Sequence, residues 1–157
     1  MQGMGTSGGA VTRIVHVAAE DVRIAVSRAR VERVADRVLR AEGVRDAMLS
    51  IAFVSNREIA GLNWRHLRHR GPTDVLSFGL ARGARGGPII GDVYIAPGVA
   101  RRNAAAHGRG VREETLRLVV HGVLHVLGYD HPVDESRYES PMWRRQERLL
   151  RSALAAA

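Results

Sequence analysis

Apolar residues follow a period of two in the first part of the chain, and this pattern alternates with stretches of helical spacing. The alternation over residues 11–18, after Gly8 and Gly9, predicts a strand. Residues 20–41 place Val, Ile, Ala and Leu at helical spacing among charged residues of both signs, which predicts an amphipathic helix closed by Gly43. A second strand is predicted over residues 47–54.

The middle of the chain predicts a short helix followed by two strands. Asn56 is the expected cap of this helix, which runs toward the Arg- and His-rich residues 64–70 and stops at the Gly-Pro pair that follows. The strands are expected over residues 73–78 and 91–96, joined by an exposed Gly- and Arg-rich loop over residues 81–88. The mixed polarity of the first of these strands is typical of a sheet edge.

The last third of the chain is helical in pattern, with helices predicted over residues 99–107, over residues 111–127 and from residue 135 to the Ala-rich end. Strands followed by helices predict an α+β domain, with a small mixed sheet of about four strands and helices packed on it. No internal repeat or linker interrupts the sequence. We therefore expect a single domain over residues 1–157, with residues 1–10 flexible.

Three histidines at 121, 125 and 131 form the most informative pattern in the chain. On a helix of 3.6 residues per turn, His121 and His125 lie one turn apart on the same face. Gly128 provides the permissive backbone that ends such a helix, so the chain can turn back and bring His131 to that face. The spacing predicts a metal site on a helix of the C-terminal half and the turn that follows it.

The available ligands restrict both the metal and its coordination. The chain has no cysteine, which excludes disulfides, thiolate catalysis and Cys-ligated metal sites. Three neutral imidazoles with one position left for water match a catalytic zinc site, whereas structural zinc usually takes four protein ligands. We expect one Zn²⁺ ion per chain, although imidazole also suits nickel, copper and iron.

The residues beside the histidines bear on the reaction. Metzincin proteases share the His-x3-His-x5-His layout, but they need a Glu after the first His as general base, and Gly122 occupies that position. Gly122 indicates either close packing of the helix or room for a bulky substrate group. Asp130 has three open roles: orienting a ligand imidazole, accepting a proton, or capping the turn.

Charge and hydropathy rank the possible partners. The 24 basic and 16 acidic residues give a net charge of +8, which favours a polyanionic partner such as nucleic acid. All the basic residues are Arg, so a compositional bias with a solvated basic surface accounts for the charge equally well. The apolar runs are too short for a membrane span, and the opening residues lack the pattern of a secretion signal. A cytoplasmic protein is expected.

Four sequence blocks together resemble the YbeY family of bacterial endoribonucleases and rRNA maturation factors. They are Leu-Asn at residues 62–63, Pro-Thr-Asp-Val-Leu-Ser-Phe at 72–78, Gly-Asp at 91–92 and His-Gly-Val-Leu-His-Val-Leu-Gly-Tyr-Asp-His at 121–131. Their order and spacing match, and the histidine block is the most specific. The resemblance implies that His121, His125 and His131 are zinc ligands.

The resemblance also implies a zinc-dependent endoribonuclease, specific for single strands, that acts in 16S rRNA 3′-end maturation and ribosome quality control. The implied partners are single-stranded RNA, rRNA in the small ribosomal subunit, ribosomal proteins and a ribosome-assembly GTPase. Neither a membrane nor DNA is expected as a partner.

This chain departs from the family at one place. Members commonly carry a Tyr-Arg pair shortly after the Leu-Asn, whereas His66 and Leu67 stand there. Arg65, Arg68 and Arg70 are close by and could supply the missing contact to RNA phosphate, because a guanidinium can fork onto phosphate oxygens from several backbone positions. Of these, Arg65 and Arg68 are the expected candidates. With Asp130 they form the expected catalytic set. The alternatives are a noncatalytic assembly factor with a structural metal and a metzincin-like hydrolase without its base.

Overall fold

The computed structural model describes residues 10–79 and 87–156. The strands are β1 (Thr12–Ala19), β2 (Asp46–Phe53), β3 (Val75–Gly79) and β4 (Ile89–Ile95), and the helices are α1 (Arg28–Ala41), α2 (Asn56–Leu67), α3 (Pro97–Ala106), α4 (Val111–Val126) and α5 (Pro141–Ala155). A short 3₁₀ helix, Glu135–Glu139, precedes α5. The predicted α+β class is confirmed.

The four strands form one mixed sheet in the order β1-β2-β4-β3. β1, β2 and β4 run parallel, and β3 pairs antiparallel with β4, with Ser77 opposite Val93. β3 therefore lies at an edge of the sheet, as its mixed polarity predicts. The core consists of two clusters of buried hydrophobic residues, and β3 contacts both. Val75 packs against the larger cluster, and Leu76 belongs to the smaller one.

Helix α4 is the central helix of the molecule. It contacts α1, α3, α5, β3 and β4, and most of its residues from Glu114 to Leu124 are buried. Apolar side chains surround it because the helix lies against one sheet face while α1 and α5 cover its other sides. The opposite sheet face packs a smaller cluster that includes Ile59 of α2 and Val99 of α3.

Gly122 is a point of close approach between α4 and the sheet. A Cβ added there would lie 2.5 Å from Cγ1 of Val93 on β4 and 3.3 Å from Oγ of Ser77 on β3. Of the two interpretations of Gly122, the structure supports close packing and contradicts free space for a substrate group. The same contact leaves no room for a Glu at this position.

The predicted helix over residues 20–41 was wrong at its beginning, because α1 begins only at Arg28. Ser27 caps it by accepting a hydrogen bond from the backbone N–H of Arg30 at 3.1 Å. The preceding Val22, Ile24 and Val26 pack against the core from a non-helical segment.

Other predicted boundaries also needed correction. Ser55 caps α2, and Asn56 is its first helical residue. The single helix predicted from residue 135 onward is divided, because Ser140 caps α5 and Pro141 occupies its first position. Residues 1–9 and most of the predicted loop over residues 81–88 lie outside the described residues. Across the described ranges, every helix is too short or too polar to cross a membrane.

Candidate metal centre

The three histidines converge at the C-terminal end of α4. His121 and His125 project from successive turns of the helix, and Gly128, with φ of +100°, ends the helical course and lets the chain return. The ring centroids lie 4.6 Å apart for His121 and His125, and 5.1 Å from each of these to His131. One ring nitrogen from each residue lies within 4.8 Å of the others, so the cluster could hold a metal ion.

Hydrogen bonds behind the rings fix which nitrogen of each histidine is available. Nδ1 of His121 lies 2.6 Å from Oε1 of Gln146. Nδ1 of His125 lies 2.9 Å from the carbonyl oxygen of Tyr129, and Nδ1 of His131 lies 2.7 Å from that of Pro132. Because these oxygens only accept, each Nδ1 carries the proton and each Nε2 presents its lone pair to the centre of the cluster.

Burial favours the neutral form of two of the imidazoles, His121 and His125. Burial lowers the pKa of His121 to about 4, outweighing the hydrogen bond to Gln146, and nearby positive charges including Arg137 lower it further. The pKa of His125 is lowered by burial and then by the charge of His131. Neutral imidazole is the form that binds a metal, so the burial of His121 and His125 favours metal binding.

Gln146 is held in place by an ion-pair network between α4 and α5. Its side chain is 1% exposed, and its Nε2 donates to Glu147 at 3.4 Å. Arg117 of α4 contacts Glu147 at 3.1 Å and Glu114 at 2.7 Å. These contacts raise the pKa of Arg117 although its burial acts to lower it. The network therefore fixes the helix that carries the acceptor of His121.

A cavity of about 520 Å³ opens beside the histidines. Its walls come from α2, from β3 and the residues before it, from α3 and the turn after it, from α4, from the segment after His131 and from α5. Besides the three histidines, its lining residues include Asp74, Ser77, Asn103, Arg109, Arg137, Tyr138 and Trp143. Its size falls within the range of about 300–1,000 Å³ seen for sites that hold small ligands.

Asp74 is a partly buried carboxylate of this cavity. Its Oδ2 accepts a hydrogen bond from Nδ2 of Asn103 at 3.2 Å, and its Oδ1 accepts one from Thr73 at 3.4 Å. Burial raises the pKa of Asp74, and the negative charge of Glu114 raises it further, against the hydrogen bonds that lower it. A carboxylate with a raised pKa in a cavity is typical of a functional site.

The structure places the two predicted arginines outside this cavity. Arg65 is exposed on α2, where its Nε donates to the carbonyl oxygen of Gly61 at 3.4 Å. Arg68 follows α2 with φ of 56°, and its guanidinium lies 5.4 Å from the ring centroid of Trp64. Neither residue lines the cavity, whereas Leu67 beside them does.

The contacts of Asp130 match one of its three predicted roles. Its Oδ1 accepts a hydrogen bond from the backbone N–H of His131 at 2.8 Å, and its side chain is exposed. This local bond stabilises the turn that delivers His131, which is the capping role. The described contacts give Asp130 no bond to a histidine ring.

Gln146 is the important residue that sequence reasoning missed. It lies on the buried face of α5 in the series Met142, Gln146, Leu149, Leu150 and Ala153. A polar residue in an apolar stripe of helical spacing is a signal that could have revealed it, because buried amides need hydrogen-bond partners. The aromatic residues of the cavity wall carried no such local signal.

The fold and the site define the class: an α+β protein in which three histidines with free Nε2 atoms line an open cavity. The family model described as Endoribonuclease YbeY matches residues 16–153. The chain belongs to this YbeY endoribonuclease family, as the sequence blocks predicted.

Curated relatives and a solved structure agree with this assignment. The Endoribonuclease YbeY of Aquifex aeolicus is 36% identical, with 84% of this chain and 87% of the relative covered. The Endoribonuclease YbeY of Pelotomaculum thermopropionicum is 43% identical over 75% of this chain and 80% of the relative. The solution structure of TM1509 from Thermotoga maritima matches with a TM-score of 0.58 and 25% identity, covering 89% of both chains.

Proposed function

We propose that the protein is a zinc-dependent endoribonuclease that hydrolyses phosphodiester bonds in single-stranded RNA. Its membership of the YbeY family supports an RNA substrate. The observation that carries the proposal is the arrangement of three imidazoles, each with Nδ1 bonded to an oxygen and Nε2 free beside a cavity. This is the donor set of a catalytic zinc site that retains an open position.

The residues present fit a zinc ion. His121, His125 and His131 would hold it through Nε2, and their oxygen acceptors keep each ring in the required tautomer. When bound, the ion would supply Lewis-acid catalysis, by lowering the pKa of water and offsetting charge on phosphoryl oxygens. Gln146 fixes the most buried ring of the three by means of its own anchorage to Glu147.

Arginines provide the contacts to the RNA backbone. Arg109 and Arg137 line the cavity and offset negative charge near the bond to be cut. Arg65 and Arg68 are exposed on and after α2, beside the cavity-lining Leu67, and contact phosphates of the strand outside the cavity. Asp130 supports the reaction indirectly, because it stabilises the turn of His131.

The biological role that we propose is 16S rRNA 3′-end maturation and ribosome quality control in the cytoplasm. The net charge of +8 supports binding to rRNA of the small ribosomal subunit. Ribosomal proteins and a ribosome-assembly GTPase are the proposed protein partners. A peptidase of the metzincin type is disfavoured because position 122 has neither a general base nor space for one.

The test is cleavage of single-stranded and duplex RNA by the purified protein and by His121→Ala, with His16→Ala as the control. His16 is an exposed histidine of β1, distant in the chain from the cluster. We expect wild type and His16→Ala to cut the single strand, and His121→Ala to remain folded by circular dichroism but inactive. Undiminished cleavage by folded His121→Ala would contradict the proposal, and unfolding of this variant would favour a structural metal.

A further inference from the structure

Two aromatic side chains form part of the cavity wall opposite the sheet. Tyr138, at the end of the 3₁₀ helix, and Trp143, in the first turn of α5, have ring centroids 4.9 Å apart with an interplanar angle of 84°. Both residues line the same cavity as the three histidines, and both are only partly buried. A ring that served packing alone would be expected in the core, whereas these two rings line the cavity.

Each of these rings has an arginine over it. The guanidinium of Arg137 lies 4.9 Å from the ring centroid of Tyr138, and its Nη2 donates to the Tyr138 hydroxyl at 2.8 Å. The guanidinium of Arg109 lies 6.0 Å from the ring centroid of Trp143. Both arginines also line the cavity. The wall therefore combines two aromatic surfaces with two positive charges.

Arg109 is the more weakly held of the arginines near Glu114. Its Nη1 lies 3.6 Å from Oε2 of Glu114, whereas Nη1 of Arg117 lies 2.7 Å from the same oxygen. Arg117 thus makes the closer contact with Glu114. The longer contact of Arg109, whose side chain is 31% exposed, leaves its guanidinium freer than that of Arg117 to turn toward an anion in the cavity.

We propose that Tyr138, Trp143, Arg109 and Arg137 form a subsite for one nucleotide of the RNA strand, next to the phosphodiester that is cut. The base stacks on the Trp143–Tyr138 pair, and the two guanidinium groups contact its phosphate. The inference rests on the proposed function and specifies how the strand is held. Aromatic surfaces with flanking arginines are the combination by which proteins bind single strands without base preference.

The chemistry of the wall sets the expected specificity. Every base has a face that can stack on an indole ring, and the described lining of this wall adds charge rather than an array of amide groups for reading base edges. A duplex cannot place one of its bases there without unstacking and unpairing it, which is unfavourable. The subsite therefore selects single strands and tolerates any base.

The direct test uses tryptophan fluorescence, because the chain has only two tryptophans. In Trp64→Phe, the emission comes from Trp143 alone. We expect a single-stranded 2′-O-methyl oligonucleotide, which has the bases and phosphates of RNA but lacks the 2′-hydroxyl, to quench this emission saturably. The same backbone with abasic sugars at every position, which offers phosphates but no base to stack in any register, should quench it much less. Equal quenching by both, or none by either, would overturn the proposal.

The functional test compares Trp143→Ala with Trp143→Phe in the zinc-loaded protein. Loss of one stacked base weakens binding by roughly 5- to 150-fold, so we expect Trp143→Ala to raise KM by such a factor and Trp143→Phe to restore most of it. Metal content and kcat should change little, because the ring does not touch the reacting atoms. Arg109→Ala and Arg137→Ala each remove one of the two proposed phosphate contacts. Arg144→Ala, which removes an exposed charge of α5, is their control.

Different results would contradict the proposed function and the proposed subsite. If wild type cuts no single-stranded RNA, the proposed function fails. If wild type cuts RNA and Trp143→Ala keeps the wild-type KM and full metal content, the enzyme stands but the subsite is wrong. A fall in zinc content of Trp143→Ala with an unchanged KM per loaded site would also overturn the subsite, since it would assign the ring a structural role.

Discussion

At the scale of single residues, the acceptor behind each imidazole decides whether the histidine can bind a metal. His125 and His131 use backbone carbonyl oxygens for this, but His121 depends on the side chain of Gln146. A backbone acceptor survives most substitutions, whereas a side-chain acceptor does not. Gln146 is therefore the position at which a change away from the ligands should affect the metal most.

We predict that Gln146→Leu lowers zinc affinity by roughly 10- to 100-fold, as loss of an oriented partner does at other metal sites. Leu retains the volume of the buried side chain but offers His121 no acceptor. Competition with a chromogenic chelator measures the affinity. Arg144→Leu, which changes an exposed residue of the same helix to Leu, is the control and should bind zinc with the wild-type affinity. Equal affinities for all three proteins would show that the hydrogen bond is unimportant.

Asp74 yields a prediction about stability and pH. Burial raises the pKa of Asp74 above its ordinary value of 3.8, so the folded protein holds this proton more tightly than the unfolded chain does. The stabilising effect of protonating Asp74 is complete below pH 3.8, the ordinary pKa of the group. It is lost as the pH rises through the raised pKa of the folded state. At pH 7 the ionised carboxylate then lowers the free energy of unfolding relative to a neutral amide.

Asp74→Asn should accordingly be more stable than wild type at pH 7, and the difference should shrink as the pH is lowered toward 4. Thermal unfolding of both proteins in matched buffers measures this, and the change common to all other groups cancels in the comparison. A variant that is less stable at pH 7, or a difference that grows in acid, would contradict the assigned direction of the pKa shift.

At the scale of elements, the contact between α4 and β4 sets the position of the histidines. Gly122 lies between His121 and His125, and Val93 beneath it is fully buried and stiff because it is β-branched. A methyl group at 122 must push the helix away from the sheet. The same displacement would move the two imidazoles relative to the turn that carries His131.

We predict that Gly122→Ala destabilises the protein by about 1–3 kcal/mol through overpacking, as measured by urea unfolding. Val93→Ala added to it should recover part of the loss. The control is Gly61→Ala in α2, where an added Cβ meets nothing within 4 Å, so that helix propensity alone should stabilise by about 0.5–1 kcal/mol. Equal effects at both glycines would mean that the close approach has no energetic consequence.

The elements also show what the sequence can predict. α4 and the four strands follow from apolar periodicity, because each buries one face or is buried throughout. The beginning of α1 does not, since Val22, Ile24 and Val26 fit a helix by composition but pack from a non-helical segment. The cap at Ser27 begins the helix at Arg28 although the preceding residues also fit a helix by composition. A single sequence does not show which of the two signals, the cap or the composition, is stronger.

At the scale of the whole molecule, the candidate site combines parts that are distant in the sequence. The three histidines lie within eleven residues, so local geometry predicted them. Gln146 and His121 are 25 residues apart, and Asn103 and Asp74 are 29 apart. Only the packing of α5 on α4 and of α3 on the sheet brings these pairs together, and periodicity carries no information about such packing. The cavity wall of Tyr138 and Trp143 escaped prediction for the same reason.

The proposed RNA cleavage requires a metal ion held by the three imidazoles. The most direct measurement removes metal from the untagged protein with a chelator and then follows the cleavage rate of single-stranded RNA as zinc is added back. We predict no cleavage without metal and a linear recovery that levels off at one zinc ion per chain. Full cleavage by the metal-free protein, or recovery without saturation at one equivalent, would contradict the account.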